Sequence, residues 1–453
     1  MTLEIEELCK NIAVLHLSGA IFGFGDLANV DKAENALVRR GVRAIVFSLK
    51  DVRRLPPSGL CALVEYLVRD RQIAVAAFGL HRKAVAELSR LNLSMSLPIY
   101  TNLEEALTSD RVQAAKLNGT CAVFLDADGP TSLAGLAGVP SVATLDVAGR
   151  SVFDRAAHFL SRFGVLDLYI HAPGDRAGIR ARLSEWCQRQ SSMHLCSELS
   201  GASVYALEVL RKIQVRHAAF QDDFFVFPSM GFGDVDLAAA MVCHKDRGSD
   251  VTVITTGQHS GRSQTGSFRD TFLILSPDVL DNPVIDNDLD LRGNLVSSVP
   301  SGLLTASHFQ SNGHWYSVET EVGYRAALEA VLTGRVKCQK PTGQEVSTGI
   351  WLEEGADLSR SAQLTGPVFV GASAKVSANA RLLGRLSIAS GATIGKGAFV
   401  ERSIILDHTN VEAGATVSDQ IVAAGWALPI DPPTERPRLE SVPYVANRLE
   451  LTA

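Results

Sequence analysis

Residues Val370–Val400 read VGASAKVSANARLLGRLSIASGATIGKGAFV, and the aliphatic side chains in this stretch keep a fixed beat. Val376, Leu382, Ile388, Ile394 and Val400 follow Val370 at intervals of six, Leu406 continues the series, and Val411 and Val417 resume it after a one-residue slip. An α-helix repeats about every 3.6 residues and a half-buried strand about every 2, so neither carries this period. Gly, Ala, Ser and Asn around each aliphatic suit tight corners between short flat strands, and the repeat marks a parallel β-helix. The pattern predicts a left-handed β-helix over residues 348–425, in a domain bounded at 345–428, with a proline-rich tail over 429–453. Such a prism serves stacking and oligomerisation, so a homo-oligomer is expected.

The chain has 453 residues, which points to two or three domains. A fifth of the residues are charged, nearly half are hydrophobic, and the net charge is −6. That balance fits a globular protein and disfavours a nucleic-acid or anionic-membrane partner. No apolar run reaches the roughly 20 residues that span a bilayer. The opening MTLEIEELCK lacks the basic start and apolar core of a signal peptide. Seven cysteines without a CxxC pair suit reduced thiols better than disulfides or zinc. A cytoplasmic location is the expectation.

The first hundred residues alternate strand and helix. IAVLHLSG (12–19), RAIVFSL (43–49) and QIAVAAFGL (72–80) read as buried strands, and LANVDKAENALVRRG (27–41) as an amphipathic helix ended by Gly41. DVRRLPPSGLCALVEYLVRDR (51–71) places a double proline before a second helix, with Ser58 as the expected N-cap. An aliphatic strand, a small loop and then Ser58, Gly59 and Leu60 opening a helix resembles the STAS domain of bacterial anti-sigma factor antagonists. The resemblance covers residues 1–108 and includes LPIYTNLEEAL (97–107) as the last strand and helix. The family's loop usually reads Asp-Ser-Ser-Gly-Leu, and a partner kinase phosphorylates its first serine. Here Pro56 and Pro57 stand at the Asp and that serine, which leaves Ser58 as either a helix cap or a surviving switch. The resemblance implies a protein partner docking at Ser58, Gly59 and Leu60, either a kinase-like anti-sigma factor or an active nucleotidyltransferase.

Residues 119–335 lie between these parts. AVFLDADGPTSLAGLAGVPSVATLDVAGRSVFDRAAHFLSRFG (122–164) puts a glycine-rich loop after a buried strand, a place that suits phosphates. With FFVFPSMGFGDVDLAAAMVCHKDRGSDVTVIT, FLILSPDVLD and GHWYSVETEVGYRAALEAVLTG following in order, this region resembles the sugar-phosphate nucleotidylyltransferases. That family includes mannose-1-phosphate guanylyltransferase and glucose-1-phosphate adenylyltransferase, and a left-handed β-helix commonly follows its catalytic domain. The chain is thus expected to be an α/β multidomain protein. Its parts are a STAS-like α/β domain, a Rossmann-like α/β nucleotidyltransferase-like domain and a left-handed parallel β-helix.

The positions of chemical consequence depart from that family. Thr131 and Leu133 match its first loop, but Ser132 stands at the arginine that holds the triphosphate and Pro130 at the preceding glycine. The Pro-Lys pair becomes Pro140 and Ser141. The two metal-binding aspartates align with Met230 and Ser317. Nucleotidyl transfer joins two anions and expels pyrophosphate, work done by Mg²⁺ on carboxylates and by cationic side chains. A thioether and a hydroxyl are poor substitutes, so no catalytic residue, metal or cofactor is expected. Asp126 and Asp128 would repel a nucleotide. Gly129, Thr131, Glu198, Gly201 and Asp234 are the residues of a weakened pocket that could still hold a nucleotide sugar. Asp234 or Asp236 could hold a displaced metal, though the acidic pair here mainly begins a helix. His314 is expected in a turn, and His244 with Lys245 as cations ending a helix.

These readings converge on a non-catalytic regulator or scaffold, with bacterial polysaccharide synthesis as the associated setting. The alternatives are an active sugar-1-phosphate nucleotidylyltransferase, which needs Mg²⁺, and an anti-sigma factor antagonist acting through residues 1–110.

Overall fold

Alternating small and aliphatic residues bury the first sheet on both faces. In the computed structural model, strands β1 (Thr2–Cys9), β2 (Ile12–Ala20), β3 (Ala44–Arg54), β4 (Ala74–Phe78) and β5 (Ile99–Tyr100) follow one another across the sheet in chain order. The structure describes residues 1–9, 11–69, 73–90, 97–125, 133, 142–171, 193–195, 207–228, 230–256, 271–286, 291, 303–318, 320–336 and 339–430. They form two units, Met1–Thr120 with Leu160–Leu166, and Cys121–Phe159 with Asp167–Ala453.

In the first unit β1 runs antiparallel to β2, and β2 to β5 run parallel. Leu15, Phe47 and Val75 pack on one face with helices α1 (Ala28–Arg39) and α2 (Pro57–Val68). Their neighbours Val14, Val46 and Ala76 pack on the other with α4 (Leu103–Thr108) and α5 (Asp110–Lys116). The predicted strands and first helix are all present, and α3 (Arg82–Arg90) follows β4.

Ser58 is not the N-cap of α2. The helix starts at Pro57, with Pro56 in extended backbone as the cap residue. Proline suits the first helical position because its fixed φ is helical and no N–H is needed there. Ser58 therefore falls within the first turn, where its Oγ donates to the Phe22 carbonyl at 2.9 Å. The next residue lies against the same loop, and a Cβ at Gly59 would land on the carbonyl oxygen of Ile21. Gly59→Val is expected to cost about 2–3 kcal/mol, as overpacking against unyielding backbone does. Urea denaturation of the full chain reads this, and an unchanged midpoint would contradict the close approach.

The second unit holds a seven-stranded mixed sheet. It orders β10 (Met193–Leu195), β9 (Asp167–Ile170), β6 (Cys121–Phe124), β11 (Phe224–Phe227), β14 (Thr271–Leu275), β13 (Val251–Thr256) and β15 (Ala306–Ser311). Only β14 opposes its neighbours; the other pairs are parallel. Two short ribbons complete it: β7 (Asp146–Val147) with β8 (Arg150–Ser151), and β12 (Gly231–Gly233) with β16 (Trp315–Ser317). Helix α6 (Val152–Ser161) follows β8.

From residue 344 to 429 short strands wind into a three-sided parallel β-helix. Val370 pairs with Ile388 and Val376 with Ile394, a coil of 18 residues. Ile388 then pairs with Ile405, and Ile394 with Val411, a coil of 17. The slip therefore lies before Ile404, at the corner Arg402–Ser403. Ile405, not Leu406, takes the inward position of that coil, joining Ile388 and Val422 in the core. Antiparallel strands Gln344–Ser347 and Trp426–Pro429 cap the two ends.

One side of this prism is covered. Phe369 and Ser387 alternate with the core residues yet are buried, and the helix Glu321–Leu332 packs on that side. Glu329 meets Arg385 at 2.9 Å, and Arg325 meets Asp419 at 3.2 Å. The β7–β8 hairpin completes the cover. Its turn holds Gly149 at φ +87, where a Cβ would strike Thr342, Glu353 and the Phe369 ring. Arg155, with no exposed surface, ties the hairpin to the segment entering the prism. It donates to the carbonyls of Val147 (2.5 Å), Ala148 (3.1 Å) and Lys340 (3.3 Å) and to Gln339 Oε1 (3.0 Å). Among the described residues no helix is long and apolar enough to cross a membrane.

Candidate functional site

The β12–β16 ribbon sets near one another Met230 and Ser317, the two positions where the sequence resemblance led to an expectation of metal-binding aspartates. Gly231 pairs directly with Ser317. Met230, adjacent to Gly231 in the chain and 1% exposed, precedes the paired residue, so it stands one residue away in register from Ser317. The surroundings are apolar: Phe232 and Trp315 are buried, and Trp315 stacks on Phe227 at 5.1 Å with Phe272 at 5.5 Å. A hard divalent cation needs a cage of oxygen ligands. This donor set does not fit Mg²⁺. Among the described residues no three His, Cys, Asp or Glu side chains converge where a metal could be held.

The nearby carboxylates are committed elsewhere. Asp234 accepts from the His314 backbone N–H at 2.6 Å and lies 3.9 Å from its ring Nδ1, which pins the turn ahead of β16. His314 sits in that turn, as expected, with its ring over Tyr316. Burial pushes the Tyr316 phenol up, and Asp234 adds to it. Asp236 caps the helix Leu237–Asp246, accepting from Ala239 N–H at 3.0 Å.

Gly129, Thr131, Ser132, Ser141, Glu198 and Gly201 lie outside the described residues, as do Asp126 and Asp128. Leu133 is described and buried.

Two histidines differ from or escape the sequence reading. His244 lies in the last turn of the helix Leu237–Asp246, as expected, but is buried: it is 1% exposed, with Nδ1 2.8 Å from Thr252 Oγ1 and Nε2 3.6 Å from Asp223. Burial alone would raise the Asp223 carboxyl, but His244 and Lys245 outweigh it and hold the group below its ordinary range. Lys245, beside it in the same turn, is exposed. His171 was not anticipated. It closes β9 beside the end of β6, with its N–H on the Phe124 carbonyl at 2.8 Å and Nδ1 2.7 Å from the Leu125 carbonyl. A carbonyl accepts only from N–H, so Nδ1 carries a proton. That Nε2 is buried without a hydrogen-bond partner among the described residues. Ligands favour the crevice beyond the carboxyl ends of such strands; the signal in LYIHAPGD was a histidine ending an apolar run.

In the first unit Ser58, Gly59 and Leu60 are together at the start of α2. Ser58 is exposed, Gly59 underlies the Ile21 carbonyl, and Leu60 is buried with Ala84 and Leu88.

Comparison with known proteins agrees with the larger unit's architecture. The GMPPB C-terminal domain family matches residues 364–432, and its described part up to residue 429 belongs to the β-helix. UTP–glucose-1-phosphate uridylyltransferase of Synechocystis sp. is 22% identical over 260 residues, covering 51% of this chain and 66% of that protein, just under two thirds of its length. HddC from Yersinia pseudotuberculosis gives a TM-score of 0.37 at 14% identity, covering 46% of this chain and 98% of that one. The same protein complexed with GMP-PN gives 0.36. The chain is therefore similar to sugar-phosphate nucleotidyltransferases, and its fold is mixed α/β with a terminal β-helix.

Proposed function

We propose that this chain is a non-catalytic regulator or scaffold. In this reading the nucleotidyltransferase-like region senses a nucleotide sugar without turning it over, and the STAS-like first unit recruits a protein partner. The observation that carries it is that the buried Met230 stands next to Gly231, which pairs with Ser317, so the two positions expected to hold metal-binding carboxylates hold a thioether and a hydroxyl. The ribbon is intact while its side chains cannot neutralise phosphate charge through Mg²⁺. Losing one preorganised charge stabiliser commonly costs about 10²–10³ in rate, and here the metal site and both loop cations are replaced. Domain order supports bacterial polysaccharide synthesis as the setting only by association.

Calorimetric titration tests the sensing half. GTP, ATP, UTP and their sugar conjugates GDP-mannose, ADP-glucose and UDP-glucose are titrated into the full chain, in Mg²⁺ and in EDTA. A nucleotide sugar is expected to bind with the same affinity in both. Binding strengthened tenfold or more by Mg²⁺, about 1.4 kcal/mol, would mean that metal ligands lie elsewhere. The rival reading, an active transferase with relocated ligands, is favoured by the similarity to the Synechocystis uridylyltransferase and predicts that strengthening.

Ser58 serves the recruiting half. A phosphate on its Oγ removes the proton donated to Phe22 and adds charge at a helix N-terminus, where the dipole tolerates it. Ser58→Asp is therefore expected to leave the unfolding midpoint within about 1 kcal/mol of the parent, the size of the one lost hydrogen bond. A larger loss in urea denaturation would mean that Ser58 is a fold residue rather than a surface for partners.

A further inference from the structure

The carboxyl ends of β2, β3 and β4 gather charge that the fold leaves unused. Ala20 pairs with Arg54, and Ile21 N–H donates to the Arg54 carbonyl at 3.0 Å, which sets Phe22 next to the end of β3. Ser48 pairs with Phe78, so the turn into α3 leaves the sheet beside Lys50, which covers the Phe78 ring at 5.3 Å. Arg53, Arg54, Arg82 and Lys83 are all exposed, and none has a carboxylate partner among the described residues. Of the acids nearby, Asp26 is spent on the N–H groups of Phe22 (2.7 Å) and Gly23 (3.2 Å), and Glu87 on Arg90 (2.6 Å). Asp51 remains exposed. Phe22, next to the end of β3, and Phe24 are 55% and 54% exposed, in a loop held to α2 by the Ser58 hydroxyl. Leu80 and Ala84 pack with Leu55 and Leu60, which brings the start of α3 towards the same end.

We propose that this end of the sheet docks an acidic, amphipathic segment of a partner protein. Its carboxylates meet Arg53, Arg54, Arg82 and Lys83, and its apolar side chains cover Phe22 and Phe24. The inference names the chemistry of the partner and rests on the recruiting role proposed for this unit. Aromatic anchors supply the buried area and the charges supply selectivity and encounter rate. The net charge of the whole chain favours a short acidic protein segment over nucleic acid. A long polyanion would also meet the rest of a chain whose net charge is −6. A short segment senses only charges within a Debye length, about 8 Å at physiological salt.

The test uses the folded full chain and short fluorescein-labelled probes in fluorescence anisotropy: a peptide of alternating Glu and Leu, one of alternating Lys and Leu, one of alternating Glu and Ser, and oligo-dT. The Glu/Leu peptide is expected to bind most tightly and to weaken as salt rises. Its affinity is expected to fall about tenfold or more in Arg53→Glu/Arg54→Glu, the sum of two exposed charge reversals. It is also expected to fall in Phe22→Ser/Phe24→Ser, with circular dichroism confirming that each variant folds. Failure of the Glu/Leu peptide to bind, an affinity indifferent to both double variants, or oligo-dT bound as tightly overturns the inference. A Lys/Leu peptide bound better, and lost in Phe22→Ser/Phe24→Ser, overturns the acidic chemistry but leaves the recruiting role standing.

Discussion

Replacing Arg155 with alanine is expected to lower the unfolding free energy of the chain by about 3–5 kcal/mol, the range for removing one partner of a buried charged network. Its guanidinium is fully buried and, among the described residues, faces no carboxylate at hydrogen-bond distance. It is held instead by backbone carbonyls and by Gln339, whose amide returns a bond to the Arg155 carbonyl at 3.1 Å. Burial pushes its pKa down to about 10, which still leaves it charged at neutral pH. Truncation strands carbonyls from two separate segments, each costing roughly 1–3 kcal/mol if left unsatisfied. Arg155→Lys is expected to rescue only part, since an ammonium lacks the planar fork of donors. Guanidinium denaturation reads the loss; a change under about 1 kcal/mol, the size of a surface effect, would mean that the hairpin is not held through this side chain.

The second large effect depends on pH. Asp146 in β7 accepts from Gly149 N–H at 3.0 Å, and its carbonyl accepts from the buried Tyr324 hydroxyl at 2.5 Å. Burial foremost, with Asp407 and Glu353 of the β-helix, pushes its carboxyl up to about 7 against the opposing pull of Gly149 N–H and Arg155. An acid whose folded pKa is raised binds its proton more tightly when folded. Its contribution is therefore fully present below the ordinary carboxyl range, near pH 4, and is lost as pH rises through about 7. The loss is expected to be about 1–3 kcal/mol, discounted from the full linkage for relaxation of the site. Asp146→Asn keeps an acceptor for Gly149 and should flatten that slope, gaining stability at pH 8 relative to the parent. Thermal melts from pH 4 to 8 read it; a variant with the parent's slope would place the titration elsewhere.

The sequence was most legible where structure is local and repetitive. The six-residue beat located the β-helix, but Ile404, Ile405 and Leu406 are three apolar residues in a row. Which one faces inward depends on the length of the Arg402–Ser403 corner, not on the aliphatic pattern. At α2 two start signals competed, a capping serine and a proline, and the Phe22 carbonyl engages the serine hydroxyl within the first turn. His244 looked like a dipole-matching cation because its burial comes from Asp223 and Thr252 on other elements. Arg155 was invisible for the same reason: in VFDRAAHFL it reads as a solvated residue, yet its partner Gln339 lies 184 positions away. Met230 and Ser317 are two separate alignments in the sequence; by pairing Gly231 with Ser317, the ribbon sets them one residue apart in register.

The most direct test of the central claim is pyrophosphate release by the purified full chain. GTP, ATP or UTP is supplied with mannose-1-phosphate or glucose-1-phosphate, in Mg²⁺ and in EDTA. No release above a heat-denatured control is expected under either condition. Magnesium-dependent release at about 1 s⁻¹ or faster, the range of ordinary enzymes, would contradict it and show that the metal is held by ligands other than Met230 and Ser317.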